Sequence, residues 1–194
     1  MKSLGLDLSL LSTGVCVVSG DSCDNASVQT NVIKCQKIKG VEQGIERLIY
    51  IAREISSVIS DENPDCVVIE APAKNQVWQA ASIGELHGMV KCSIFQENNI
   101  VPLVEQATKM RKQVVGQIPR TFVETLDKKG KPKKSVSYGM IPGKRGPRKA
   151  TIKDIIETRL AERGFVFPSQ DEMDAYVAAR YGFDMLLENK IGDR

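Results

Sequence analysis

Apolar and polar positions in this chain follow two rhythms, and their order predicts an architecture. Apolar stretches at residues 2–8 and 14–19 predict two strands with Ser12-Thr13-Gly14 in the turn between them, and a third strand is expected within 28–38. Val41, Ile45, Leu48, Ala52, Ile55 and Ile59 then recur at spacings of four and three, the stripe of an amphipathic helix, which Asp61-Glu62-Asn63-Pro64 stops. Cys66 to Ile69 is short and wholly apolar, as expected of a strand covered by helices on both faces. A long helix over about 76–98, an apolar strand at 100–104, and helices at about 106–115, 151–163 and from Ser169 onward complete the series. The last helix carries Ala175, Ala178 and Ala179, small enough for close packing. This order predicts an α/β fold, a mixed central β-sheet flanked by α-helices. At 194 residues the chain is long enough for one well-buried domain and short for two, so 1–194 is read as a single domain.

Residues 117–148 break the rhythm, and compact domains seldom hold so long a connection without a use for it. Residues 121–126 and 135–138 have strand character and flank Asp127-Lys128-Lys129-Gly130-Lys131-Pro132-Lys133-Lys134, which predicts an inserted β-hairpin arm with a cationic tip. Pro142 to Arg148 reads as a flexible basic return.

Charge sharpens this picture. Residues 109–149 hold 13 Lys/Arg against 2 acids, a net +11, whereas the rest of the chain holds 14 against 22, a net −8. A basic island of this size suggests a phosphate backbone as partner. Arg111, Lys112, Lys128, Lys129, Lys131, Lys133, Lys134, Lys144, Arg145 and Arg148 within it are candidate contacts, with Lys74 outside it as a further one. No run approaches the roughly 18 apolar residues of a membrane span. Met1-Lys2-Ser3 leads straight into the first strand with no signal-peptide pattern, so a cytoplasmic, DNA-associated protein is expected. Five cysteines without Cys-x-x-Cys spacing read as buried thiols, and a single histidine, His87, argues against a His-rich metal site or a Ser-His-Asp triad.

Four acids carry the candidate chemistry. Asp7 ends one apolar run and Glu70 another, while Asp171 and Asp174 lie three apart at the start of the last helix. Each has a bland reading: a strand-end acid can face solvent, and acids favour helix N-termini. Ser169 and Glu172, however, have the capping-box pattern and can satisfy the first turn themselves. That leaves Asp174 beyond the first turn, on Asp171's side of the helix. Hard oxygen ligands from separate elements suit Mg²⁺ or Mn²⁺, and two such ions can assist both the attacking and the leaving oxygen of a phosphoryl displacement.

Gly5-Leu6-Asp7 before a hairpin, Val68-Ile69-Glu70 followed by Ala73-Lys74-Asn75, Lys112 to Gly116, Lys149 before a helix, and Pro168-x-x-Asp171-x-x-Asp174-Ala175 stand in the order found in one family. The chain resembles the RuvC-like Holliday-junction resolvases of the ribonuclease H-like superfamily over nearly its whole length outside 117–148. The resemblance implies a ribonuclease H-like fold, a homodimer, and paired symmetric nicks across four-way DNA junctions. It also implies two Mg²⁺ ions per site, with Mn²⁺ as a substitute, held by Asp7, Glu70, Asp171 and Asp174. Lys149 matches the family's second lysine, near the phosphoryl charge; Arg111 and Lys112 both stand where another catalytic-side base is expected.

The chain departs from the pattern in places. Leu8-Ser9 follows Asp7 where the family often has Pro-Gly, and Ala71-Pro72-Ala73 stand where some relatives carry an aromatic; Trp78 is the nearest replacement. A ribonuclease H-like nuclease acting on flaps, forks or RNA-containing substrates would use the same acids. A non-catalytic DNA-structure-binding module would need the basic arm and not the acids. An actin-like or sugar-kinase ATPase shares the opening strand-hairpin with an Asp but needs two related lobes, and this chain has room for one.

Overall fold

Side chains along the central strands alternate between two faces, and each face receives different helices. The structure, a computed structural model, describes residues 1–35, 44–72, 80–118, 121–126, 131–143 and 146–189. Strands β1 (Lys2–Asp7), β2 (Ser12–Ser19), β3 (Ser27–Lys34), β4 (Cys66–Glu70) and β5 (Leu103–Glu105) form one sheet in the order β3-β2-β1-β4-β5. The β1–β2 and β2–β3 pairs are antiparallel, while β1–β4 and β4–β5 are parallel. The expected mixed sheet is therefore present.

Leu4, Leu6, Val15, Val17, Ile33, Val67 and Ile69 point to one face, where they share a core with α1 (Ile45–Glu62) and α2 (Ala80–Asn98). Leu48, Ala52, Ile55 and Ile59 of the expected stripe are buried and Ile51 joins them, whereas Ile45 is exposed and Val41 lies outside the described residues. Burying such a side chain fully contributes about 1.5–3 kcal/mol. Asn63, in the left-handed conformation at φ 45°, ends α1.

The opposite face, with Ser3, Gly5, Gly14, Cys16, Cys66 and Val68, receives α5 (Gln170–Leu187). Glycine makes this contact possible at both ends. A Cβ on Gly5 would stand 2.8 Å from Ala179 Cα, and one on Gly182 would stand 2.6 Å from Val68 Cγ2. The small residues of α5 thus meet small residues of the sheet. Gly182 lies near Ser3 and Cys66, at the amino ends of β1 and β4, so α5 starts at their carboxyl ends.

Ser12-Thr13-Gly14 does not form the first turn as expected; it opens β2. The turn lies ahead of it, where Thr13 Oγ1 donates to the Ser9 carbonyl at 2.8 Å and accepts from the Ser9 amide at 3.2 Å.

The chain divides into two compact units, residues 1–110 with 167–194, and residues 111–166. The second holds the end of α3 (Ala107–Val115), the ribbon of β6 (Thr121–Leu126) and β7 (Pro132–Ser137), the short pair β8 (Met140–Ile141) and β9 (Arg148–Lys149), and α4 (Ile152–Ala161). The β6–β7 ribbon runs in register from Thr121↔Ser137 to Leu126↔Pro132, so the expected strands pair, but Pro132, Lys133 and Lys134, expected in the tip, belong to β7. The last residue of the 142–148 return, Arg148, belongs to β9 and is paired with Ile141 of β8. Arg159 donates to the Val115 and Gln117 carbonyls at 2.8 and 3.1 Å, and Arg163 to Val114 at 2.6 Å, satisfying carbonyls at the end of α3. A full capping box, Thr151 with Asp154, starts α4.

Candidate active site

Asp7 is the last residue of β1 and Glu70 the last of β4. Because Leu6 is registered with Ile69 in a parallel pair, Asp7 and Glu70 are the next neighbours along the two strands. The alternation that puts Gly5 and Val68 under α5 sends Asp7 and Glu70 to the same face. Both are half-buried.

The first turn of α5 lies over this rung. Asp7 is paired with Gly14 on β2, and a Cβ on Gly14 would stand 2.6 Å from the Asp171 carbonyl carbon. Ser12 Oγ donates to Asp171 Oδ2 at 2.5 Å. On one flank of the helix Glu172 accepts from Thr30 of β3 at 3.0 Å. On the other, the Tyr181 hydroxyl donates to Glu105 of β5 at 3.3 Å. Asp174 is two helical turns from Tyr181 and shares its stripe, so it lies on the β4–β5 side while Asp171 lies over β2. Asp174 is buried, with 2% of its surface exposed. Three elements therefore converge with four acids at the carboxyl end of the sheet.

The expected capping box at this helix is half formed. Ser169 Oγ accepts from the Glu172 amide at 3.2 Å, but the Glu172 carboxylate turns to Thr30 and to the Ser169 hydroxyl rather than to the cap backbone.

The donor set suits a hard divalent cation: carboxylate oxygens from separate elements, and no imidazole at that end. His87 is buried within α2, where burial foremost and Lys91 secondarily hold its pKa below the ordinary histidine range. Among the described residues, no three Asp, Glu, His or Cys side chains close on one point as an ion-holding group. What the fold supplies is the convergence of the elements, not a finished coordination shell.

Glu105 was not anticipated, although an acid ending the apolar run 100–104 repeats the signal of Asp7 and Glu70. It is registered directly with Glu70. Lys109 Nζ at 2.5 Å, the Gln106 amide at 2.8 Å and Tyr181 hold its carboxylate. Burial alone would raise its pKa, but these bonds outweigh it and keep the group below the usual glutamate range. Glu105 is thus a support that ties β5 to α3 and α5.

The basic candidates are distributed differently. Lys74, Lys128, Lys129, Lys144, Arg145 and Trp78 lie outside the described residues, and Lys133 and Lys134 are described only as backbone of β7. Lys131 is exposed beside it. Arg111 and Lys112 stand on α3 and Lys149 on β9, all in the second unit, whereas the four acids belong to the first. Lys149 is exposed and precedes the Thr151 cap of α4 by two residues. Arg148 is committed locally: its guanidinium forks onto Asp154 at 2.8 and 2.5 Å. That bond foremost, with the Thr151 amide, holds the Asp154 carboxyl well below its ordinary range. A phosphate would have to compete with Asp154 for Arg148.

No family model matches the chain. In sequence, 117 residues are 32% identical to a crossover junction endodeoxyribonuclease RuvC of Chlorobium phaeovibrioides, a stretch covering 59% of this chain and 59% of that relative. In structure, the chain is similar to Thermus thermophilus RuvC, with a TM-score of 0.66 at 15% identity over 97% of both chains. It is also similar to T. thermophilus RuvC in complex with a Holliday junction substrate, with a TM-score of 0.67 at 16% identity, covering 97% of this chain and 96% of that one. The yeast mitochondrial Holliday junction resolvase Ydc2 gives 0.50 at 10% identity, over 97% and 81%. These likenesses bear out the resemblance read from the motifs, and the fold is ribonuclease H-like. Among the described residues no helix is long and apolar enough to cross a membrane.

Proposed function

We propose that this protein is a structure-specific DNA endonuclease that resolves four-way junctions by paired symmetric nicks, acting as a homodimer. The observation that carries the reading is the Asp7–Glu70 rung with the first turns of α5 laid across it. It supports the family assignment of the acids without borrowing it. The partial sequence match to a RuvC, and the fold shared with a RuvC bound to a Holliday junction substrate, support the choice of substrate.

Asp7, Glu70, Asp171 and Asp174 would hold two Mg²⁺ ions, or Mn²⁺ in their place. Bound there, such ions would supply Lewis acidity toward a water and toward the leaving oxygen of a phosphodiester. The rest falls to the chain. Strand ends fixed by sheet hydrogen bonds keep Asp7 and Glu70 from separating, and the close-packed helix brings Asp171 and Asp174 to them. Lys149 is assigned to the charge on the phosphoryl oxygens, and Arg111 or Lys112 to the second basic position. The lysines of the arm hold the backbone of branched DNA without reading its sequence. A two-fold dimer would set two such sites symmetrically on an approximately two-fold substrate.

The test compares a four-way junction, a Y-fork, a linear duplex and an RNA–DNA hybrid in Mg²⁺. Symmetric nicks confined to the junction, leaving 5′-phosphate and 3′-hydroxyl ends, are expected. Cutting of forks or hybrids instead would move the protein to another ribonuclease H-like nuclease, and binding without nicking would make it a DNA-structure-binding module.

A further inference from the structure

Ser12 stands where β2 begins, at the end of the sheet that carries the acids, and its hydroxyl reaches across 159 residues of sequence to Asp171 Oδ2. A hydroxyl that donates to an ionised carboxylate makes a charge-assisted bond, stronger than one between neutral groups. Its two ends are held independently. Thr13 bonds Ser9 through its hydroxyl in both directions, which fixes the turn before Ser12. The helix end is fixed by Gly14, whose missing Cβ makes room for the Asp171 backbone, and by Glu172, which Thr30 and Ser169 hold at 3.0 and 2.7 Å. Along the face of β2 under α5, Ser12 is followed by Gly14, Cys16 and Val18, so a hydroxyl is placed only at the rung beside the acids.

We infer that Ser12 is a positioning residue for Asp171. By engaging Oδ2 it turns the carboxylate so that Oδ1 is the oxygen offered to a divalent cation. Among the described residues Ser12 is the side chain that hydrogen-bonds this carboxylate. The inference rests on the metal-dependent reading above. Partners of this kind fix ligand rotamers, and losing one typically weakens metal affinity about 10–100-fold.

The test is Mn²⁺ binding to the DNA-free protein, followed by the electron paramagnetic resonance signal of the unbound ion. Ser12→Ala should weaken binding about tenfold, while Ser12→Thr, which keeps a hydroxyl, should stay close to wild type. In an Asp171→Asn background, Ser12→Ala should produce no further change, because its effect runs through that carboxylate. Should Ser12→Ala fail to fold, Ser12→Cys, similar in size but a weak donor, makes the same comparison. Wild-type affinity in the Ala or Cys variant, or equal weakening with and without Asp171, would overturn the role of Ser12 and leave the nuclease reading standing. A wild-type protein that binds no Mn²⁺ would overturn both.

Discussion

Gly5 lies directly beneath the turn of α5 that begins at Ala175, closer to that backbone than any side-chain-bearing residue could come; even Ala179 Cα is 2.8 Å from where its Cβ would be. The contact sets the height of α5 over β1, and therefore the height of Asp171 and Asp174 over Asp7. Gly5→Ala should lower the urea midpoint by an amount corresponding to about 1–3 kcal/mol or more, the usual scale for overpacking. Nicking should fall further than stability explains, because the helix carries half of the acids. An unchanged midpoint would mean that the helix is not seated as described.

Thiol chemistry gives an independent check on the sheet. Cys16, Cys35 and Cys66 are buried and Cys23 and Cys92 exposed. Burial raises the Cys66 thiol to about 11, with a Ser3 hydrogen bond opposing, and raises Cys16 and Cys35 as well. Thiolates are the reactive form, so a maleimide at neutral pH should label two cysteines in the native protein and five after denaturation, counted by mass spectrometry. Rapid native labelling of Cys16 or Cys66 would contradict the packing of α5.

The Glu105 cluster makes a prediction about pH. Its carboxyl titrates lower in the folded protein than in the unfolded chain. The stability it contributes is therefore present above the unfolded glutamate range and is lost as pH falls through the folded value. Lys109 is well exposed, so screening limits the contribution to at most about 1 kcal/mol. Melting temperatures followed from neutral pH into acid should fall less steeply for Glu105→Gln than for wild type. Parallel curves would remove Glu105 from the acid sensitivity of the fold.

The arm is expected to act through charge. Deleting residues 127–134 removes five lysines, and each one that contacts a duplex phosphate adds about 0.9 to the slope of log affinity against log salt. Junction binding by the deletion variant should be weaker and its salt dependence flatter by up to about 4–5. An unchanged slope would make the arm a bystander.

Sequence periodicity showed the strands, the stripe of α1 and the hairpin because each is a local repeat that burial on one face imposes. It placed Asp7 and Glu70 at strand ends for the same reason. What it missed has no local signature. The Ser12–Asp171 bond joins residues 159 apart, and β8 and β9 are two residues each, too short for any period to register. Glu172 looked like a capping residue, but Thr30 of β3 captures its carboxylate, a tertiary contact overriding a local motif. Arg148 read as one more member of a charge run, and Asp154 beyond it claims the guanidinium.

The most direct measurement is of junction nicking and junction binding, side by side, in Asp7→Asn, Glu70→Gln and Asp174→Asn. Each change keeps size and removes one carboxylate charge. Nicking should drop at least on the order of a hundredfold to a thousandfold, the scale of losing one preorganised electrostatic contact, while binding in the absence of metal persists. Full nicking by any of the three would contradict the claim that these acids jointly hold the ions at the scissile phosphate.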